Sequence, residues 1–268
     1  LESAISDEET AMLWRASTIM GSGIRARDGS IGSITDLLFE DTSWTVRWVV
    51  VDTGSWLPGR QVLLPPSALG RPEAMPQEFP VDLTRKQVED SPGLGTDAPV
   101  SRQLEASTYG HYGWAPYWYP GFAAYPGYAP PLAAPAAAPP ATTGAPSGQP
   151  GDTEQPSGDP SLRSMSEVTG YYIRATDDDI GHIEDFLVED QAWEIRYVMV
   201  DTKNWWPGRK VLVAPRWFRD VSWAEQQIHV DLPRAEVEKS PEFDPSAVVE
   251  RSYEEQLHRH YGQRFYWE

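Results

Sequence analysis

The sequence repeats itself, and that constrains the fold more than any single motif. Shifting the 268-residue chain by 149 positions aligns 24–66 with 173–215 without a gap, and 24 of those 43 positions are identical. The register continues through "VDLTRKQVEDSP" and "VDLPRAEVEKSP", and through His111-Tyr112-Gly113 and His260-Tyr261-Gly262. Near the start, Leu13 falls on Leu162 and Gly21 on Gly170. One structural unit therefore occurs twice, over 12–119 and 161–268. Residues 1–11 read as an N-terminal extension. The segment 120–160 holds 11 prolines, 10 alanines, six glycines and three charges, with no apolar period. Such a composition cannot bury enough surface to offset its ordering entropy, so it is expected to be a flexible linker. At ~3.1 Å per residue its upper-limit reach is roughly 130 Å. Each unit, holding its own apolar strands, is expected to fold by itself.

Within a unit the pattern is mainly β. Asp28-Gly29 is a hairpin signal between "GIRAR" and "IGSITDLLFE". The alternating, β-branched "WTVRWVVVD" predicts a central strand, followed by "QVLLP" and "EFPVDL". Thr84 is placed to cap a short helix through "RKQVED", and 245–262 reads as a longer terminal helix in the second copy. Five or six short strands with short C-terminal helices point to a small β-barrel, so the chain is expected to hold two.

Trp-x-Pro-Gly-Arg occurs in both copies, as Trp56 to Arg60 and Trp205 to Arg209. Pro58 and Gly59 suit the second and third positions of a type II turn. Trp56 is expected to cover one end of the core, and Arg60 to pair with Asp52 or Asp36. Trp205 and Arg209 have the same options. A contact to a ligand or peptide by Trp56, Arg60, Trp205, Trp206 and Arg209 is the alternative. His258 and His260 lie on different faces of a helix, which spoils chelation, and Asp177 to Asp179 lacks calcium-loop spacing. No nucleophile motif, phosphate loop or dinucleotide fingerprint occurs. The expectation is a non-enzyme with no metal and no cofactor.

Charge narrows the partners. The net charge of −18 disfavours nucleic acid and anionic membranes and suits a basic protein partner. Unit one carries nine basic and 12 acidic residues, unit two 13 and 21. The extra acids of unit two include Asp178, Asp179, Glu184 and Glu194. Cysteine is absent, which removes disulfide and thiolate chemistry. The apolar runs are far short of the ~20 residues a spanning helix needs. A cytoplasmic location, or one peripheral to a membrane complex, is expected.

Ile31-Gly32, Asp36, Arg47 to Thr53, Trp56 to Arg60 and Val62 to Leu64, with their partners 149 residues on, resemble the PRC-barrel family. The resemblance covers most of both units and implies a compact β-barrel. It implies three settings: a tandem, non-catalytic interaction or adaptor module; a role like that of the photosynthetic reaction-centre H subunit, supporting electron or proton transfer in the light reaction; or ribosome-maturation-type binding to a basic ribosomal protein. The H subunit carries an N-terminal membrane helix that this sequence lacks, and the second barrel stands where a maturation factor has an RNA-associated domain.

Overall fold

A computed structural model describes residues 11–70, 77–94, 100–118, 161–202 and 209–267. The linker 120–160 and residues 1–10 lie outside them. The first repeat runs Leu13–Arg15 (β1), Ala16–Ile19 (α1), Gly23–Ala26 (β2), Gly29–Glu40 (β3), Thr45–Asp52 (β4), Gln61–Leu64 (β5), Glu78–Pro80 (β6), Arg85–Glu89 (α2), Gly93–Leu94 (β7) and Arg102–Tyr112 (α3). The second runs Leu162–Ser164 (β8), Met165–Val168 (α4), Tyr172–Arg174 (β9), Asp179–Glu189 (β10), Ile195–Asp201 (β11), Lys210–Val213 (β12), Phe218–Ser222 (β13), Gln227–Val230 (β14), Arg234–Glu238 (α5) and Arg251–His260 (α6). The fold is mainly β, in two seven-stranded sheets.

The local signals act where the sequence places them. Asp28 and Gly29 turn β2 into β3, and β4 lies between β3 and β5 with Val46, Trp48, Val49, Val50 and Val51 buried. Thr84 caps α2 through a reciprocal capping box with Gln87. Gly32 and Gly181 are required by crowding: a Cβ there would lie 1.9 Å from the Asp52 carbonyl oxygen and 2.1 Å from that of Asp201. The terminal helix is shorter than the expected 245–262. Asp244 Oδ1 accepts the Ser246 N–H at 2.8 Å and its hydroxyl at 2.7 Å, a turn that competes with helix, and the Val248-Val249 pair adds β-branched residues. Helix α6 begins only at Arg251.

The two repeats do not close separately. Strand β1 of the first repeat pairs antiparallel with β10 of the second, matching Leu13 with Glu189 and Arg15 with Leu187. Strand β8 of the second repeat pairs with β3 of the first in the same register, Leu162 with Glu40 and Ser164 with Leu38. Each repeat thus gives its first strand to the other's sheet. The hydrophobic core follows suit: Ala16, Ile19, Phe39, Met165, Val168 and Phe186 belong to one continuous buried cluster drawn from both repeats. Phe39 and Phe186, one from each, lie 6.3 Å apart by ring centroid.

A backbone feature marks the junction. Trp44 and Trp193, in the equivalent β3–β4 and β10–β11 loops, both have φ of 54°. A bulky residue in the left-handed region costs on the order of 1–2 kcal/mol. Here the conformation aims each carbonyl at the other repeat. Trp193 O accepts the Val46 N–H and Trp44 O accepts the Ile195 N–H, each at 2.8 Å. Gln226, in the β13–β14 turn, shares this φ, but only at Trp44 and Trp193 does it serve a hydrogen bond between the repeats.

Candidate functional site

The Trp-Pro-Gly-Arg segment forms a closed turn in the first copy. Arg60 N–H donates to Leu57 O at 3.1 Å, and Gly59 has φ of 74°, as the third position of a type II turn demands. The Thr53 hydroxyl lies 2.7 Å from Leu57 O and 2.8 Å from Arg60 O, tying the base of the loop. Trp56 is half-buried against the core, and the Arg85 guanidinium covers it 4.4 Å from the ring centroid. Arg60 does not pair with Asp52 or Asp36. Its Nη2 donates to Ser91 O, and Arg209 makes the same bond to Ser240 O. The carbonyl that follows α2 or α5 takes the guanidinium, while both aspartates are engaged elsewhere. Asp52 accepts the Gly54 N–H at 2.6 Å. Trp205 and Trp206 lie outside the described residues.

Asp36 and Asp185 lock the exchanged segments. Asp185, almost fully buried, accepts the Ser17 N–H at 3.1 Å, the Ser17 hydroxyl at 2.5 Å and the Phe186 N–H at 2.8 Å. Asp36 accepts the Ser166 N–H at 3.1 Å, the Ser166 hydroxyl at 3.0 Å and the Ser164 hydroxyl at 2.5 Å. Each carboxylate thus satisfies donors at the start of the other repeat's short helix. The recurrence of these aspartates reflects the join between repeats.

The recurring histidine is also a clamp: His111 Nε2 lies 2.8 Å from Gln87 O and His260 Nε2 lies 2.8 Å from Glu236 O, fastening α3 to α2 and α6 to α5. Beneath α3 and α6 sit two buried glutamates that sequence reasoning passed over. Glu105 accepts the Trp48 indole N–H at 2.6 Å and the Tyr117 hydroxyl at 3.2 Å. Glu254 accepts the hydroxyls of Tyr197 at 3.0 Å and Tyr266 at 2.9 Å, with Arg251 3.2 Å away. The signal was available, because Arg102/Arg251 and Glu105/Glu254 recur at the same offset. Burial pushes the Glu254 carboxyl above its ordinary range and the Tyr266 hydroxyl up to about 12. Burial also pushes His258 down; its ring lies between Tyr197 OH at 2.9 Å and Arg264 O at 2.7 Å. This cluster is sealed: Glu254 is 3% exposed and His258 0%. It holds the helix against β11 through Tyr197.

The extra acids of unit two are locally engaged. Asp178 pairs with Arg234, Glu184 with Lys210, Glu194 with Arg196 at 2.5 Å, and Asp179 lies 3.9 Å from Arg174. Asp177 accepts the Arg234 N–H at 2.8 Å, as Asp28 accepts that of Arg85 at 2.7 Å, so the triple-aspartate turn docks α5. These pairs mute the local field without changing the net charge.

An asymmetric cleft opens at the junction. Trp14, Ile19, Leu69, Gly70 and Phe79 of the first repeat face Val188, Asp190 and Trp193 of the second. Among the described residues, no group of three or more histidine, aspartate and glutamate side chains is arranged to hold a metal ion. No helix among them is long and apolar enough to cross a membrane. No protein-family model matches the chain, and no curated protein matches it.

Proposed function

We propose that the chain is a non-catalytic interaction protein in which two small β-barrels of the PRC type act as one body towards a protein partner. One observation carries the reading: the polar residues that recur in both copies are used to hold the frame together. Asp36 and Asp185 lock the exchanged segments, Arg60 and Arg209 fasten the carbonyls after α2 and α5, and His111 and His260 tie the terminal helices down. Repetition of these residues supports a scaffold preserved twice, whose differences between copies serve recognition. The net charge of −18 favours a basic partner, reached with electrostatic steering.

Affinity capture with the intact chain, at low and at high salt, tests the reading. A stoichiometric basic protein that is retained at low salt and released by salt is the expected result. Release independent of salt, or turnover of small-molecule substrates by the purified chain, would overturn it.

A further inference from the structure

The cleft at the junction has a counterpart in the other half of the molecule, and the counterpart is filled. There, Trp223 packs against Trp44, with centroids 6.4 Å apart, and against Tyr171 at 6.2 Å. Arg163 lies over the Trp223 ring at 4.4 Å and donates to Asp41 Oδ2 through Nε at 3.1 Å and Nη2 at 2.9 Å. Phe218 completes the packing, edge-on to Trp44 at 5.3 Å. An aromatic ring, an arginine and an aspartate form one stacked, charge-paired unit.

At an offset of 149 residues, the open half keeps the receiving groups and lacks the filling ones. Trp44 and Asp41 correspond to Trp193 and Asp190, but Trp223 corresponds to Ala74, Arg163 to Trp14, Phe218 to Leu69 and Arg219 to Gly70. What remains among the described residues is a small cleft, partly continuous with solvent, walled by Trp14, Phe79 and Trp193 with Asp190 at its edge. Asp190 Oδ1 accepts the Met12 N–H at 2.9 Å, whereas Asp41 meets an arginine.

We propose that this cleft binds a tryptophan side chain of a partner protein that carries an arginine beside it, supplying in trans the pair that Trp223 and Arg163 supply in cis. The proposal rests on the reading of the chain as an interaction protein and names its recognition element. The chemistry is set by the filled half: an indole between aromatic walls, and a guanidinium that covers it while pairing with the carboxylate. The strongly acidic chain adds charge complementarity to the arginine.

The probe is the capped dipeptide acetyl-Arg-Trp-amide, titrated into the intact chain while the indole N–H resonances of Trp14 and Trp193 are followed by NMR. Saturable shifts at both are expected, with acetyl-Glu-Trp-amide binding at least tenfold more weakly. Asp190→Asn, which keeps an acceptor for Met12, should weaken the Arg-Trp probe about tenfold. Trp14→Arg installs the other half's residue next to Asp190 and should abolish the shift at Trp193, the remaining reporter, while the other indole resonances keep their native dispersion. Equal binding of the two dipeptides, no saturable shift, or indifference to both substitutions overturns the proposal; the last two outcomes also cover occupation of the cleft by the chain's own segment. Partner capture that persists with Trp14→Arg would sink this site while leaving the interaction reading in place.

Discussion

Asp185→Ala in the intact chain probes the exchange of strands directly. The substitution strips acceptors from the Ser17 N–H, the Ser17 hydroxyl and the Phe186 N–H. A hydrogen bond to a charged acceptor is worth about 1.5–3 kcal/mol, and a buried donor left unpaired costs about 1–3 kcal/mol. Relief of the carboxylate's own desolvation offsets part of this, so a net loss of roughly 3–5 kcal/mol is expected, as for removing one partner of a buried charged pair. Asp52→Ala is the control, since Asp52 accepts a nearby backbone N–H at an exposed loop and should cost below about 1 kcal/mol. Urea unfolding gives the two losses, and hydrogen exchange localises them. The amides of Leu13 to Arg15 should lose protection in Asp185→Ala, because β1 is held on β10 by the same contact. Equal losses for Asp185→Ala and Asp52→Ala, or unchanged protection of β1, would refute the claim that this carboxylate locks the exchanged strand.

Three other outcomes are expected. Gly32→Ala, whose Cβ meets the Asp52 carbonyl, should cost roughly 2–4 kcal/mol, against about 1–2 kcal/mol for Gly59→Ala, where the space is open and only the positive φ resists; equal melting shifts would contradict this. Fragments 12–119 and 161–268 expressed apart should each lack a strand partner and, when mixed, form a 1:1 complex by light scattering; monomers unaffected by mixing would contradict this. His258 has its pKa depressed below 6.5 by burial, so the unfolded chain takes up its proton first and stability falls as pH drops through 6.5, by at most ~1.4 kcal/mol per unit. His258→Asn should lower stability overall yet flatten the acid side of the profile measured by urea titration, and an unchanged slope would contradict the assignment.

Local signals were legible because short-range chemistry decides them. The Asp28-Gly29 hairpin, the Thr84 cap and the Pro58-Gly59 turn each depend on residues within a few positions of one another. The strand exchange was not legible, for a reason the repeat itself supplies. Leu13-Trp14-Arg15 can pair with the edge of β3 or of β10, and those strands share Asp36/Asp185, Leu38/Leu187 and Glu40/Glu189. Residue pattern fixes the register on such an edge but not which copy provides it. Arg60 was misassigned because charge complementarity favours a carboxylate on paper, while the fold brings the Ser91 carbonyl to the guanidinium. The buried glutamates were missed because a Glu on a helix reads as solvent-facing until Trp48 and Tyr197 are known to meet it.

Reciprocal exchange changes what each repeat is for. A repeat that closed on itself would gain nothing from a second copy except valency. Here the backbone and carboxylate contacts of the join come in twins: Ser17 on Asp185 answers Ser166 on Asp36, and Trp193 O on Val46 answers Trp44 O on Ile195. Joining both repeats in one chain makes this association intramolecular, so it does not depend on protein concentration. The copies are then free to diverge wherever neither the core nor the join constrains them. Around the join the described residues differ in what surrounds Trp44 and Trp193: the first sits among Trp223, Phe218 and Arg163-paired Asp41, and the second beside an open cleft. Among the described residues, the frame of the join is thus matched in both halves while its pocket is filled in one half and open in the other, an asymmetry that the proposed one-to-one recognition uses.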